Sequence, residues 1–181
     1  MHGPALVGWL LTGVCALAGA VCLTRARRGA VGGTAGRAAR RAREAAVAET
    51  VMAWSMALMS VPGARLPGPF YVALFAASAL WALSLRSRGM GHQLHHLTEA
   101  AAMGYLVLSM SAGHHGGPAV VTGGLLLYFA GYAVAGGVRL LPVPAASGGP
   151  GPSPSAVLAS PGVTDACRLT LALAMCAMLL G

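Results

Sequence analysis

ALVGWLLTGVCALAGAVCL, residues Ala5 to Leu23, runs directly into Thr24-Arg25-Ala-Arg27-Arg28 and decides the fold class. The stretch carries no charge and has the length, roughly 20 residues, of a helix that crosses a bilayer. A basic block beside such a stretch is a topology signal. No basic segment of a secretory signal precedes the apolar run, so it is expected to stay as an anchor.

The rest of the chain agrees. Of its 181 residues, 56% are hydrophobic and only 9% charged, against about 25% charged in soluble domains. Mean hydropathy is +0.70. The net charge of +8 does not point to nucleic acid, because the basic residues are all arginines and cluster between Arg25 and Arg43. Five more apolar segments follow: 45–61, ended by Pro62-Gly63; 70–85; 97–112; 119–138; and 167–180. The expected fold is all-α, a polytopic transmembrane bundle of about six helices forming one membrane domain. Residues 24–44 read as an arginine-rich cytoplasmic loop. Residues 142–163 read as a second cytoplasmic loop, rich in Pro, Gly and Ser, that cannot build a core. The many glycines and alanines suit close helix packing in lipid.

Orientation follows from the arginines. The connections after the first, third and fifth segments hold Arg25 to Arg43, then Arg86 and Arg88, then Arg139, while the opposite connections hold Arg65 alone. Both termini are therefore expected outside. The second, fourth and sixth segments then start from the cytoplasmic side of the cell membrane.

Three of the four acidic residues, Glu49, Glu99 and Asp165, stand at or one turn inside the starts of those three segments. A carboxylate within a membrane segment is costly and marks a functional site by default. Their shared depth predicts one shared site with its mouth toward the cytoplasm. The plainer alternative is helix capping, and it fits Asp165, just before the sixth segment, better than Glu49 or Glu99. Below the acids run methionines at helical spacing, Met52, Met56 and Met59 in the second segment, Met103 and Met110 in the fourth, Met175 and Met178 in the sixth. Trp54, Tyr105 and Leu106 lie on the same segments. Together Met52, Trp54, Met56, Met103, Tyr105, Leu106 and Met175 are the expected lining of an apolar substrate pocket. Trp9, Trp81 and Tyr132 read as belt or packing aromatics.

His92-Gln-Leu-His95-His96 has the HxxHH spacing of membrane di-iron enzymes. The remaining histidines, His2, His114 and His115, map to the opposite side, so a di-iron ligand set is incomplete. A single copper or zinc held by His92, His95 and His96 with acids or methionines is the alternative reading. Cys15, Cys22, Cys167 and Cys176 form no CxxC pair and read as buried thiols.

The start Met1-His2-Gly-Pro-Ala-Leu-Val-Gly-Trp9, the segment Val51-Met52-Ala-Trp54-Ser-Met56-Ala-Leu-Met59, the stretch His92 to Tyr105 and the end Cys167 to Met175 resemble a family of small actinobacterial integral membrane proteins known as a domain of unknown function. A looser resemblance, in size and helix number, is to bacterial membrane-bound cyclases of indole sesquiterpenes and other meroterpenoids. It implies cyclisation begun by protonation from an intramembrane acid, without aspartate-rich motifs; the chain has neither DDxxD nor DxDD. The expected function is protonation-initiated cyclisation of a lipophilic prenylated substrate, with no metal or nucleotide cofactor and with membrane lipids as neighbours. Glu49 is the expected proton donor and Glu99 or Asp165 its partner. The alternative function is copper or other metal binding and transport.

Overall fold

The computed structural model describes residues 3–31, 36–63, 67–87, 93–112, 117–140 and 160–180. All regular structure among them is helical: α1 (Gly3–Val31), α2 (Arg37–Ser60), α3 (Gly68–Ser87), α4 (Gln93–Ser111), α5 (Ala119–Leu140) and α6 (Pro161–Leu180). Each odd helix lies along the even helix that follows it, and α1 also lies against α6. The result is three hairpins arranged as one helical membrane bundle.

Side-chain contacts fix the directions. Thr12 in α1 reaches the Ala57 carbonyl in α2, while Cys22, later in α1, meets Glu49, earlier in α2. The pair is antiparallel. α2 and α6 run the same way, because Glu49 meets Arg168 and, further along both helices, Ser60 meets Met178. α4 and α5 are antiparallel, with His95 at Tyr128 and Tyr105 at Thr122. Glu99 and Asp165 lie toward the starts of α4 and α6, while Glu49 lies midway along α2.

Two loop boundaries drawn from hydropathy move. The stretch 24–44 is mostly helix: α1 continues through Val31 and α2 begins at Arg37. Alanine and arginine are strong helix formers, so the backbone stays helical where the side chains become charged. Likewise α6 begins at Pro161, inside the expected loop 142–163 and ahead of the apolar segment 167–180. Proline suits the first helical position, where its missing N–H would have no intrahelical partner. Asp165 consequently sits beyond the first turn of α6 and does not cap it. Glu49 lies about three turns inside α2, deeper than its apolar segment suggested. Residues 141–159 of the expected second loop lie outside the described residues.

Hydropathy and burial divide the helices into two kinds. Four are long and apolar enough to cross a membrane: Ala5–Arg28, Gly68–Leu85, Ala119–Leu140 and Gly162–Leu180. Their outward faces are apolar, as with Val120, Leu127 and Val134 on α5, each more than two-thirds exposed. In water such a continuous face would be a liability; in a bilayer it is ordinary lipid contact. α2 and α4 are the other kind, and among the described residues they hold every buried polar or charged side chain: Glu49, Thr50, Ser55, His95, His96, Glu99 and Ser109. Hydroxyls inside the bundle are satisfied by their own helices, as Thr50 donates to the Ala46 carbonyl at 2.7 Å and Ser55 to the Val51 carbonyl at 2.7 Å. α2 ends where Pro62 cannot continue it, and Gly63, at φ +85°, turns the chain away.

The core between the helices is built from Met52, Met56, Phe75, Met103, Phe129, Leu171 and Met175 with small residues between them. Unbranched methionine fills the irregular gaps left where helices cross.

Candidate functional site

The buried acids form two clusters with different chemistry. Glu49 is only 1% exposed. Its Oε1 accepts from Arg168 Nε of α6 at 2.8 Å, and its Oε2 lies 3.7 Å from Arg25 Nη1 of α1. The Cys22 thiol donates to the same Oε2 at 3.7 Å. Cys22 and Cys167 are both buried and both are free thiols. Arg25 in turn donates through Nη2 to the Thr164 hydroxyl. Three helices thus converge on one carboxylate. Guanidinium stays protonated under all ordinary conditions, so Glu49 faces two fixed positive charges.

Glu99 has 0% exposure and no guanidinium partner. Its Oε2 is 2.9 Å from His96 Nδ1, and its Oε1 is 3.2 Å from His95 Nε2. Both histidines precede it on α4, three and four residues back, so one helical face supplies the whole cluster. The His95 ring stacks on Tyr132 with centroids 3.6 Å apart and planes 9° from parallel. His95 Nδ1 is 3.1 Å from the Tyr128 hydroxyl. His95 is therefore clamped on both sides by α5. His96 lacks such a clamp. With Nδ1 committed to Glu99, its remaining nitrogen is Nε2.

His96 lines an apolar cavity of about 130 Å³ between α2 and α3. The other walls include Val51 and Met52 of α2 and Ala77, Ser78 and Trp81 of α3. Trp81 is nearly half exposed, so the cavity lies beside the outer surface of the bundle. A neutral imidazole whose Nδ1–H is held by a carboxylate offers Nε2 as a base; the imidazolium offers the same atom as an acid.

The two clusters are within electrostatic reach of each other. The charges of Glu49 and Arg168 act on His96, and those of Arg168, Glu99 and Glu49 act on Tyr132. Asp165 joins neither by direct contact. It is half-buried and influences Arg168 through its charge, without a hydrogen bond or ion pair among the described residues.

The expected pocket residues part company. Met52 lines the cavity beside His96. Met56, Met103, Leu106 and Met175 are packed into the core. Trp54 is half exposed and lies over Gly19 of α1, so closely that a Cβ there would come within 2.2 Å of its ring. The Tyr105 hydroxyl meets Thr122 at 3.1 Å, near the opposite end of α4 from His96. The sequence reading passed over Arg25 and the cavity position of Trp81. It set the histidines beside the acids as candidate metal ligands, and the i, i+3 and i, i+4 spacing of His96 and His95 to Glu99 does bring them into contact.

For a metal, His95 Nε2 and Glu99 Oε1 are two buried ligand atoms that form an ion-pair contact with each other at 3.2 Å but are not aligned for a hydrogen bond. No group of three metal-ligating side chains occurs among the described residues. His92, the remaining member of the expected histidine set, lies outside the described residues.

The chain belongs to the family described as Domain of unknown function (DUF5134), whose model matches residues 41–181. The matched region holds both buried glutamates, both described histidines and Arg168; Arg25 and Cys22 lie before it. Comparison with curated proteins and with solved structures finds no match.

Proposed function

We propose that this membrane protein transfers a proton to a lipophilic substrate in the cavity between α2 and α3. His96 carries the proton, and Glu99 holds and polarises its ring. The observation that supports this reading most is His96 in the wall of a largely apolar cavity, where Ser78 is the other polar lining residue, with Nδ1 fixed 2.9 Å from a fully buried carboxylate.

A carboxylate behind an imidazole fixes its tautomer and stabilises the imidazolium. Apolar walls keep water from competing for the proton. Trp81 is in the same wall, and an aromatic face attracts a cation by electrostatics. Protonation of a prenyl double bond creates a carbocation, ring closure moves the charge, and loss of a proton ends the reaction. The proton gained equals the proton lost, so the product is an isomer. Cyclisation of a prenylated substrate fits this chemistry. The donor moves from Glu49 to His96, because Glu49 is bound to two arginines. The arginine-bearing end of the bundle is assigned to the cytoplasm, and reporter fusions after Arg28 and Arg139 test that assignment.

The chemistry is tested by incubating membranes containing the protein with prenylated aromatics in D₂O. The expected product is an isomer carrying one carbon-bound deuterium. His96→Gln and Glu99→Gln should each reduce its formation about 10²- to 10⁴-fold, as loss of a general acid or of its orienting group does. Glu49→Gln, normalised to folded protein, should retain it. Full activity in His96→Gln would remove this residue from the mechanism.

A further inference from the structure

A second cavity, of about 210 Å³, lies on the opposite flank of α2, between α1, α2 and α6. We infer that it binds a phosphate oxyanion, as a phospholipid headgroup or as free phosphate. It is independent of the proton-transfer cavity and shares no lining residue with it.

The lining sets the ligand class. Arg25, Arg41 and Arg168 are the charged donors, Thr164 adds a hydroxyl, and alanines of α2 leave the space open. Glu49 is the only carboxylate among the lining residues. Three guanidinium groups against one carboxylate leave two positive charges in excess. Arginine forks match the oxygens of phosphate in geometry as well as charge.

Glu49 does not satisfy these donors. It bonds Arg168 through Nε, but its approach to Arg25 is an ion pair at 3.7 Å, too long for a hydrogen bond. Arg25 Nη1 is buried without a hydrogen-bond acceptor. Buried guanidinium N–H groups ordinarily find one. An oxyanion in this cavity would provide it, with Arg41 approaching from the rim.

Position favours a lipid source. The apolar span of α1 closes at Arg28, just past Arg25, and that of α6 opens at Gly162, just before Thr164 and Arg168. The cavity is therefore level with the membrane boundary, where phosphate headgroups lie.

The test uses the full chain purified in a maltoside detergent. Radiolabelled inorganic phosphate is titrated in one arm. In the other, retention of phosphatidylglycerol is compared with that of diacylglycerol, which has the same chains and no phosphate, by native mass spectrometry. Binding of phosphatidylglycerol but not inorganic phosphate assigns the site to a lipid headgroup; binding of inorganic phosphate assigns it to free phosphate. Arg25→Gln and Arg41→Gln should each weaken binding about tenfold or more. Arg27→Gln, an exposed arginine outside the cavity, should not. Arg41 is exposed and makes no ion pair among the described residues, so its variant reports even where Arg25→Gln fails to fold. Absence of binding in both arms overturns the inference. So does an unchanged affinity in Arg41→Gln, or an equal loss in Arg27→Gln, which would indicate only a diffuse basic surface.

Discussion

Glu49 and Glu99 are the same residue type, on neighbouring helices, with 1% and 0% exposure. Their partners make them chemically unlike. Glu49 is bound from two other helices by arginines, which cannot give up their charge. Glu99 is bound from its own helix by imidazoles, which can. Burial alone therefore does not identify a proton-active carboxylate. The acidity of the partner decides it, and so does whether partner and acid stand on one helix or tie several together.

The strongest challenge to this contrast is Glu49→Gln. It leaves the partly buried Arg168 and Arg25 without their counter-charge, and breaking one side of a fully buried pair costs about 3–5 kcal/mol, less where solvent reaches the partner. Thermal unfolding in detergent should show that loss, and Glu49→Gln with Arg168→Gln should recover part of it. No recovery in the double variant would mean that Glu49 is not the counter-charge that joins α2 to α6.

Glu99→Gln should cost less. Neutral histidines can still hydrogen-bond the amide, so the expected loss is about 1–3 kcal/mol, that of a perturbed buried hydrogen bond. Its effect on proton transfer should nevertheless exceed that of Glu49→Gln. Equal stability losses in the two variants would erase the distinction between structural and chemical carboxylate.

The smallest effect is expected from Tyr132→Leu. It removes the ring stacked on His95 but preserves apolar volume, for about 0.5–1.5 kcal/mol. Because His95 and not His96 loses its clamp, proton transfer should fall only slightly. A fall as large as that of His96→Gln would make His95 the proton carrier.

Much of the fold was legible in the sequence. Six apolar segments and a one-sided distribution of arginines indicated six helices and the shared direction of α2, α4 and α6. The ends were harder to read, since hydropathy marks where side chains become polar, whereas a helix ends where its backbone hydrogen bonds end. Hence α1 continues past Leu23 to Val31, and α2 begins ahead of its apolar part. The site was legible where it is local. His95, His96 and Glu99 meet through spacing on one helix. The pairing of Glu49 with Arg25 and Arg168 depends on which helices are neighbours and on the reach of two long side chains, and no spacing along one segment encodes either.

The division between four apolar helices and the two polar-bearing ones has a consequence for biogenesis. α2 and α4 fall outside the helices apolar enough to span a bilayer, and a lone segment that carries charges or imidazoles partitions less well from the translocon into lipid. Each emerges from the ribosome just after an apolar helix that it lies against, α1 for α2 and α3 for α4. The unit of insertion is then the hairpin. α4 tested alone in a glycosylation-mapping assay should fail to integrate, and α3 with α4 should succeed; efficient insertion of isolated α4 would contradict this order of assembly.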